Sequence, residues 1–421
     1  MSGRGIGVLI VTGLLLFPGA VHAAEDLIDV LVKKGTITKA EAEALQSRSV
    51  SSAVDKITFY GDLRVREETQ WYNGDGNDAK NKNRQRFRLR IGADIEEGPL
   101  QVHVRLASGT GEQVSANQTM QKLSSQKGIW IDRAYVEYLG VPGLNLAAGR
   151  MANPFFTNFT SELIWDDDYN PEGLIEQYTM KTGDQGRLFA RAGQIILDGG
   201  DAGGAAQWLL VYQAGAEIKT APAGFNLALT YYSLANSEKT NFNQVTTQDG
   251  NTRVGCNPPS AETNCLANPY NVISATAAVT VPAGRPLTLS ADVVKNLVDT
   301  VQNPMTDDEN LGYEIGLKFG NATAAHTSEV GYSYRSMQTD AALADINDSD
   351  FGPNGGTNRK GHVVWAAYNP TKATQFKLKY FNTRVENPDL PPAPVLGTAT
   401  VPGDLTNPTH QRIQIDFSVK F

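Results

Sequence analysis

Arginines recur at every second position in two early stretches of the chain. "ITFYGDLRVREE" carries Arg64 and Arg66 on the same side as Asp62, with Leu63 and Val65 between them; "RQRFRLRIGADIEE" carries Arg86, Arg88 and Arg90 between Phe87, Leu89 and Ile91. A guanidinium keeps its proton at any physiological pH and offers five donors, so its chemistry is fixed positive charge, not proton transfer. Further basic side chains follow at Arg105, Arg133, Lys377, Lys379 and Arg412. A set of carboxylates, Glu162, Asp166, Asp167, Asp168 and Glu172, lies in one polar segment between them. Opposite charges facing one another across water steer and select ions.

Covalent chemistry has no comparable footing. Beyond residue 23 the histidines are His103, His326, His362 and His410, at unrelated places, and no G-x-S-x-G elbow, HExxH pair or phosphate loop accompanies them. The run "DDDYNPE" lacks the glycine and distant glutamate of a calcium-binding EF-hand loop, so it reads as a loop–strand junction and not a metal site. No enzyme, cofactor or metal is expected.

A charge at every second residue needs a strand to hold it, because successive strand side chains point to opposite faces. In the arginine-rich strands one face is apolar and the other charged. The same division recurs later: Trp208, Leu210, Tyr212, Ala214 and Ile218 oppose Gln207, Gln213, Glu217 and Lys219, and Phe376, Leu378 and Tyr380 oppose Lys377 and Lys379. The pattern predicts about sixteen strands, near 57–67, 85–97, 99–108, 130–140, 144–152, 173–182, 186–197, 206–219, 225–235, 271–282, 287–297, 310–319, 326–337, 361–369, 374–384 and 411–421. The connections alternate. Segments 68–84, 109–129, 153–172, 236–270, 298–309, 338–360 and 385–410 are long and polar, with 198–205 a shorter member of the set, whereas "GP", "GVPG", "GDQG", "APAG", "AGRP", "GNAT" and "PTKA" are tight joints. A chain threading up and down through a bilayer has short turns on one side and long loops on the other.

Composition agrees. The chain has 421 residues, 40 of them glycine, and a formal charge of −8, which argues against a general nucleic-acid binder. "MSGRGIGVLIVTGLLLFPGAVHA" has a basic start, an apolar centre and a small-residue ending, the form of an export signal cut after Ala23. No later segment supplies the ~18 uninterrupted apolar residues of a spanning helix. Residues 24–48 follow with two short helical patterns, the second opened by Thr38 and Glu41 as a capping box, and 49–56 read as a linker. Cys256 and Cys265 lie in the longest external loop and are expected to form a local disulfide in an oxidising compartment.

The closing strand, "QRIQIDFSVKF", puts Ile413, Ile415, Phe417, Val419 and Phe421 on one face and ends on an aromatic. Its terminal Phe421 resembles the signal by which outer-membrane barrels are recognised by their assembly machinery. "ITFYGDLRVRE", "RQRFRLRIGADIE", "IDRAYVEYLGVPGLNLAAGRMANPF" and "LIWDDDYNPEGL" resemble, in this order, the putative-porin family of Gram-negative outer membranes. The resemblance covers roughly 57–180 and the last strand; 240–410 add architecture only. It implies a sixteen-stranded general-porin-like barrel with passive diffusion of small hydrophilic solutes as its activity, and leaves the solute and a homotrimer open.

The sequence thus predicts an all-β protein: a transmembrane antiparallel up-and-down barrel over 57–421, preceded by a short periplasmic helical hairpin at 24–48, in the outer-membrane lipid. Closure would make the first four and last two strands neighbours, gathering Arg64, Arg66, Arg86, Arg88, Arg90, Arg105, Arg133, Lys377, Lys379 and Arg412 into a basic wall facing water. Whether loop 153–172 folds inward to oppose that wall, or the charges form a solvated lining, stays open. Two other readings are a sheath around a partner cytochrome, for which this chain has no CxxCH, and a surface adhesin.

Overall fold

The structure, a computed structural model, describes residues 32–34, 38–39, 56–73, 82–159, 161–199, 206–235, 250–254, 265–298, 309–388 and 409–421. The chain divides into two compact units, Met1–Thr58 and Phe59–Phe421. In the first, helical backbone is described at Val32, Lys33 and Lys39. The expected signal and nearly all of the expected helical hairpin and linker lie outside the described residues, as does Cys256 of the expected disulfide.

The second unit is a closed antiparallel barrel of sixteen long strands. These are β1 (Ile57–Asn73), β2 (Lys82–Glu97), β3 (Leu100–Ser108), β4 (Ile129–Val141), β5 (Leu144–Arg150), β6 (Glu172–Lys181), β7 (Gly186–Asp198) and β8 (Gln207–Lys219). They continue as β9 (Gly224–Ala235), β10 (Asn271–Ala283), β11 (Arg285–Asn296), β12 (Leu311–Gly320), β13 (Thr327–Met337), β14 (Arg359–Asn369), β15 (Thr374–Val385) and β16 (Thr409–Lys420). Each strand pairs with its neighbours in sequence, and β1 closes the ring against β16 from Asp62 opposite Lys420 to Asn73 opposite Thr409. Gly61 sits at the seam. Its N–H donates to the Phe421 carbonyl at 2.9 Å, and the Phe421 ring lies 2.5 Å from where a Cβ would stand, so no other residue fits there without displacing the ring.

The outer wall is apolar. Leu63, Val65, Ile91, Val104, Leu289, Val293, Ile315, Leu378 and Ile415 are all exposed, and Ile315 is 58 % exposed in mid-strand. Phe59, Tyr138, Phe225, Phe319, Phe376 and Phe417 stand near the tight-turn ends of their strands. A continuous apolar band edged by aromatics matches lipid and would be a liability in water. Among the described residues no helix is long and apolar enough to cross a membrane; here strands cross.

The largest departure from the predicted strand limits is at the end of β1. β1 runs six residues past Glu67, because Glu68 turns inward, fully buried, and accepts hydrogen bonds from Arg84, Gln70 and Gln414. Adjacent Glu67 and Glu68 read as the start of a loop only while those distant donors are unknown. Elsewhere an irregularity between β3 and β4 pairs Arg105 with Arg133 and Leu106 with Ile131, leaving Asp132 as an extra residue. Bulges of this kind re-aim side chains, and here Asp132 and Arg133 both reach Asn170.

Candidate functional site

The lumen is not an open tube. Three connections fold into it: the first part of 109–128, up to about residue 118; 151–159 with 161–171; and 338–358, joined by the described parts of the longest loop, 250–252 and 266–270. The reason lies on the inner face of the wall. Ile175 (β6), Ile195 (β7) and Val211 (β8) point inward and are fully buried, as apolar inner positions must be if water is to be kept off them. Loop 151–171 covers them with Phe155, Leu163, Ile164, Trp165 and Tyr169, and Trp165 stacks on Phe155 at 5.8 Å and on Tyr169 at 5.6 Å. On the far arc Val363 and Trp365 (β14) and Phe381 (β15) are covered by Phe351 of loop 338–358.

Loop 338–358 is held by buried polar groups. Asp340 accepts from the Thr252 N–H and hydroxyl, Asn268 and the Tyr270 hydroxyl, all between 2.7 and 2.9 Å. Arg335 (β13) donates to Glu314 (β12) and to Asp348 of the loop, each at 2.8 Å, and lies over the Phe351 ring. The loops also bind one another. The Asp166 N–H donates to the Ile346 carbonyl, the Ser349 N–H to the Asp166 carboxylate at 2.9 Å, and the Ser349 hydroxyl to the Val114 carbonyl. The sequence marked 338–360 only as polar; the apolar inner residues of β14 and β15 were the signal that something covers them.

Six of the ten basic residues singled out, Arg64, Arg66, Arg88, Arg90, Lys377 and Lys379, line one cavity, whereas Arg86, Arg105, Arg133 and Arg412 do not. Arg66, Arg86, Arg105 and Arg412 are buried instead of facing water, and nearly every arginine of the set is paired. Arg88 donates to Asp168 of loop 151–171 at 3.0 Å and to Asp62 at 3.1 Å, and Arg90 to Asp62 at 2.7 Å. Arg66 grips Asp416 (β16) with two nitrogens, at 2.7 and 2.9 Å, and reaches Asp350 at 3.2 Å; Arg412 also donates to Asp350, at 2.6 Å. Arg64 donates to Asn117 at 2.7 Å and lies 4.0 Å from Asp416; Arg86 lies 3.8 Å from Glu68. Arg105 is held by Asp132, and Arg133 donates to Asn170 at 2.8 Å. Lys379 lies 3.8 Å from Glu162 and over the Phe381 ring. Lys377 has no ion pair within 4.0 Å among the described residues.

Four of the five expected acidic residues come together. Glu162, Asp166, Asp167 and Asp168 line a cavity of about 380 Å³ with Arg64, Arg66, Arg88, Arg90, Lys377 and Lys379 across from them. Glu172 stands apart, as the first residue of β6, exposed and paired with Arg150 at 2.7 Å. Glu162, Asp166 and Asp348 bring carboxylate oxygens within 4.8 Å of one another. All three already accept hydrogen bonds from backbone N–H groups.

Electrostatics divides these loop carboxyls into two kinds. Burial alone would raise Asp168, but the guanidiniums of Arg88, Arg64 and Arg90 outweigh it and lower its pKa to about 2. Asp350 is likewise held well below the usual carboxylate range, Arg412 and Arg66 overcoming its burial. Glu162 and Asp166 are pushed well above that range, by burial first and then by neighbouring carboxylates, Asp348 and Asp167 for the one and Asp168 and Asp348 for the other.

This barrel, with charged loops folded into its lumen, defines a channel of the outer-membrane porin class. The putative-porin family model matches residues 75–391, and the chain belongs to that family, whose members are passive diffusion channels. Among solved structures it is similar to OprB of Pseudomonas putida at high pH, with 14 % identity over 90 % of this chain and 97 % of that one and a TM-score of 0.54. It is also matched to OmpF of Salmonella typhi in complex with daunomycin, at 11 % identity over 87 % and 97 % of the two chains, with a TM-score of 0.48. At such identities the likeness concerns the fold. No curated protein sequence matches the chain.

The pKa directions give a prediction for loop docking. The contribution of Asp168 and Asp350 is present above the ordinary carboxylate pKa and is lost as pH falls towards about 2. The contribution of Glu162 and Asp166 is full below the ordinary value and is lost as pH rises through their raised values. Amide exchange over 161–170, corrected for intrinsic rates, should therefore be slowest in mildly acidic solution and faster towards both extremes. A protection that only rises or only falls with pH would contradict this division.

Proposed function

We propose that the narrowed lumen is the conducting path, and that small hydrophilic solutes and ions cross it between the basic wall of β1, β2, β15 and β16 and the acidic loop 151–171. The observation that carries this reading is the contact of Arg88 with Asp168, which joins wall and loop at the edge of the cavity. Opposed charges at a constriction are a general means of selection in pores. The sheath reading loses ground, because three loops occupy the space a cytochrome would need. Purified protein should give ohmic conductance steps in planar bilayers. A bilayer that stays closed after verified insertion would overturn the reading.

The same proposal includes the route to the membrane: residues 1–23 as a cleaved export signal, 24–48 as a periplasmic helical hairpin joined by 49–56, and Cys256 with Cys265 as a bridge within an external loop. Phe421 would be the handle for the barrel-assembly machinery; it is 65 % exposed, so its ring is open to a partner. Deleting it should deplete the heat-modifiable barrel from outer membranes, and unchanged yield would count against that role.

A homotrimer, or another assembly of copies, is favoured by one feature of the outer wall. Glu176 alternates with exposed Leu174 and Tyr178 and so faces outward near the middle of β6, where Gln194 donates to it at 3.2 Å. It borders a hollow of about 480 Å³ over Ala190, Ala192 and Ala214. Lipid offers such a pair no further hydrogen bonds, whereas a second barrel does. Cross-linking in native membranes should show oligomers that Glu176→Leu weakens. Monomer alone in the unaltered protein would contradict it.

A further inference from the structure

The arginines dominate the cavity by number, but their charges are largely spent on ion pairs. Asp62, Asp168, Asp350 and Asp416 between them hold Arg64, Arg66, Arg88, Arg90 and Arg412. A bound pair presents a dipole whose field falls off faster than that of a lone charge, so what a passing ion feels is set by the charges left over. Among the described side chains lining the cavity, those with no ion pair within 4.0 Å are Lys372, Lys377, Lys420, Asp166 and Asp167, and Asp166 is already taken up by the backbone N–H groups of Asp168 and Ser349.

All three lysines fall on one arc. Lys372 is in the turn between β14 and β15, Lys420 ends β16 at the same rim, and Lys377 lies further up β15 on the inner face. Lys379 follows two residues on, about 7 Å higher by strand geometry, where it meets Glu162. Lys377 stands directly across from Asp416, yet that carboxylate is already gripped by Arg66 and approached by Arg64. Its ammonium is therefore left uncompensated by its nearest cross-strand acid. Lys377 and Lys379 lie within a Debye length of one another at physiological salt; Lys420 is four strand positions further down, about 14 Å away, so its field joins theirs only in dilute salt.

We infer that Lys372, Lys420, Lys377 and Lys379 form an anion lane along β15 and β16, with Lys377 the residue that sets ion preference at the narrowing, while the paired arginines hold the loops in place. This rests on the channel reading above and adds its solute class: small anions carrying carboxylate or phosphate groups. Low-dielectric walls focus the field of an uncompensated charge inside a narrow cavity, which makes one lysine matter.

The test is the zero-current potential of the full-length protein in planar bilayers under a potassium chloride gradient at low salt. The unaltered channel should prefer chloride. Lys377→Gln should lower the chloride-to-potassium permeability ratio by about tenfold at low salt, because one unit charge about 6 Å from the path in a water-like dielectric is worth about threefold on each ion, in opposite senses. Lys377→Arg should keep the ratio. The charge-neutral double change Arg187→Gln with Glu217→Gln, at a cancelled pair outside the cavity, should also leave it nearly unchanged. A conducting Lys377→Gln channel with the unaltered ratio would overturn the lane, as would a double variant that shifts the ratio as far as Lys377→Gln. Absence of current from the unaltered protein would instead strike the channel reading itself, and the lane with it.

Discussion

Lipid supplies no hydrogen-bond partner, and the rest of this structure follows from that. Every N–H and C=O in the membrane zone must be met by another strand, so the sheet has to close, as β1 does against β16. Closure fixes two faces with opposite demands. Outward positions must be apolar, which places Leu63, Val65 and Ile315 where they are, and the period of two then carries Arg64, Arg66 and Glu314 to the inside. The charged lumen is thus the necessary other half of an oily exterior.

A barrel this wide has room to fill, and two kinds of contact decide how it is filled. On the arc from β5 to β8 the inner face carries an apolar patch, Ala147, Ile175, Ile195, Leu209 and Val211, and loop 151–171 lies on it as a hydrophobic cover. On the arc of β1, β2 and β16 the inner face is charged, and loops reach it through carboxylates that meet arginines, Asp168 to Arg88 and Asp350 to Arg412. Breaking a buried ion pair by removing one partner is costly because the other charge is stranded. The loops are consequently clamped between grease on one side and ion pairs on the other, and the remaining passage is what lies between.

Much of the wall was legible in the sequence, since alternation is a local signal: strand limits agree within about two residues almost throughout, and the long and short connections fall on opposite rims as expected. The exception, β1, failed where Glu68 depends on Arg84 and Gln414. The filling of the lumen was less legible. Arg66 and Asp416 meet across 350 positions of chain, and nothing near either residue announces the other. The inward fold of 338–358 was missed for a related reason. Leu209 and Val211 inside, with Leu210 outside, show a strand that is apolar on both faces, but only a structure tells which loop answers it.

The claim most in need of a direct test is that the Arg88–Asp168 pair holds loop 151–171 in a narrowed lumen. The measurement is single-channel conductance for Arg88→Gln, Asp168→Asn and the double variant, read as a double-mutant cycle. If the pair clamps the loop, each single change raises conductance and the double change raises it no further than the larger of the two. Independent, additive effects, or conductance unaltered in all three, would mean the loop is held by something else.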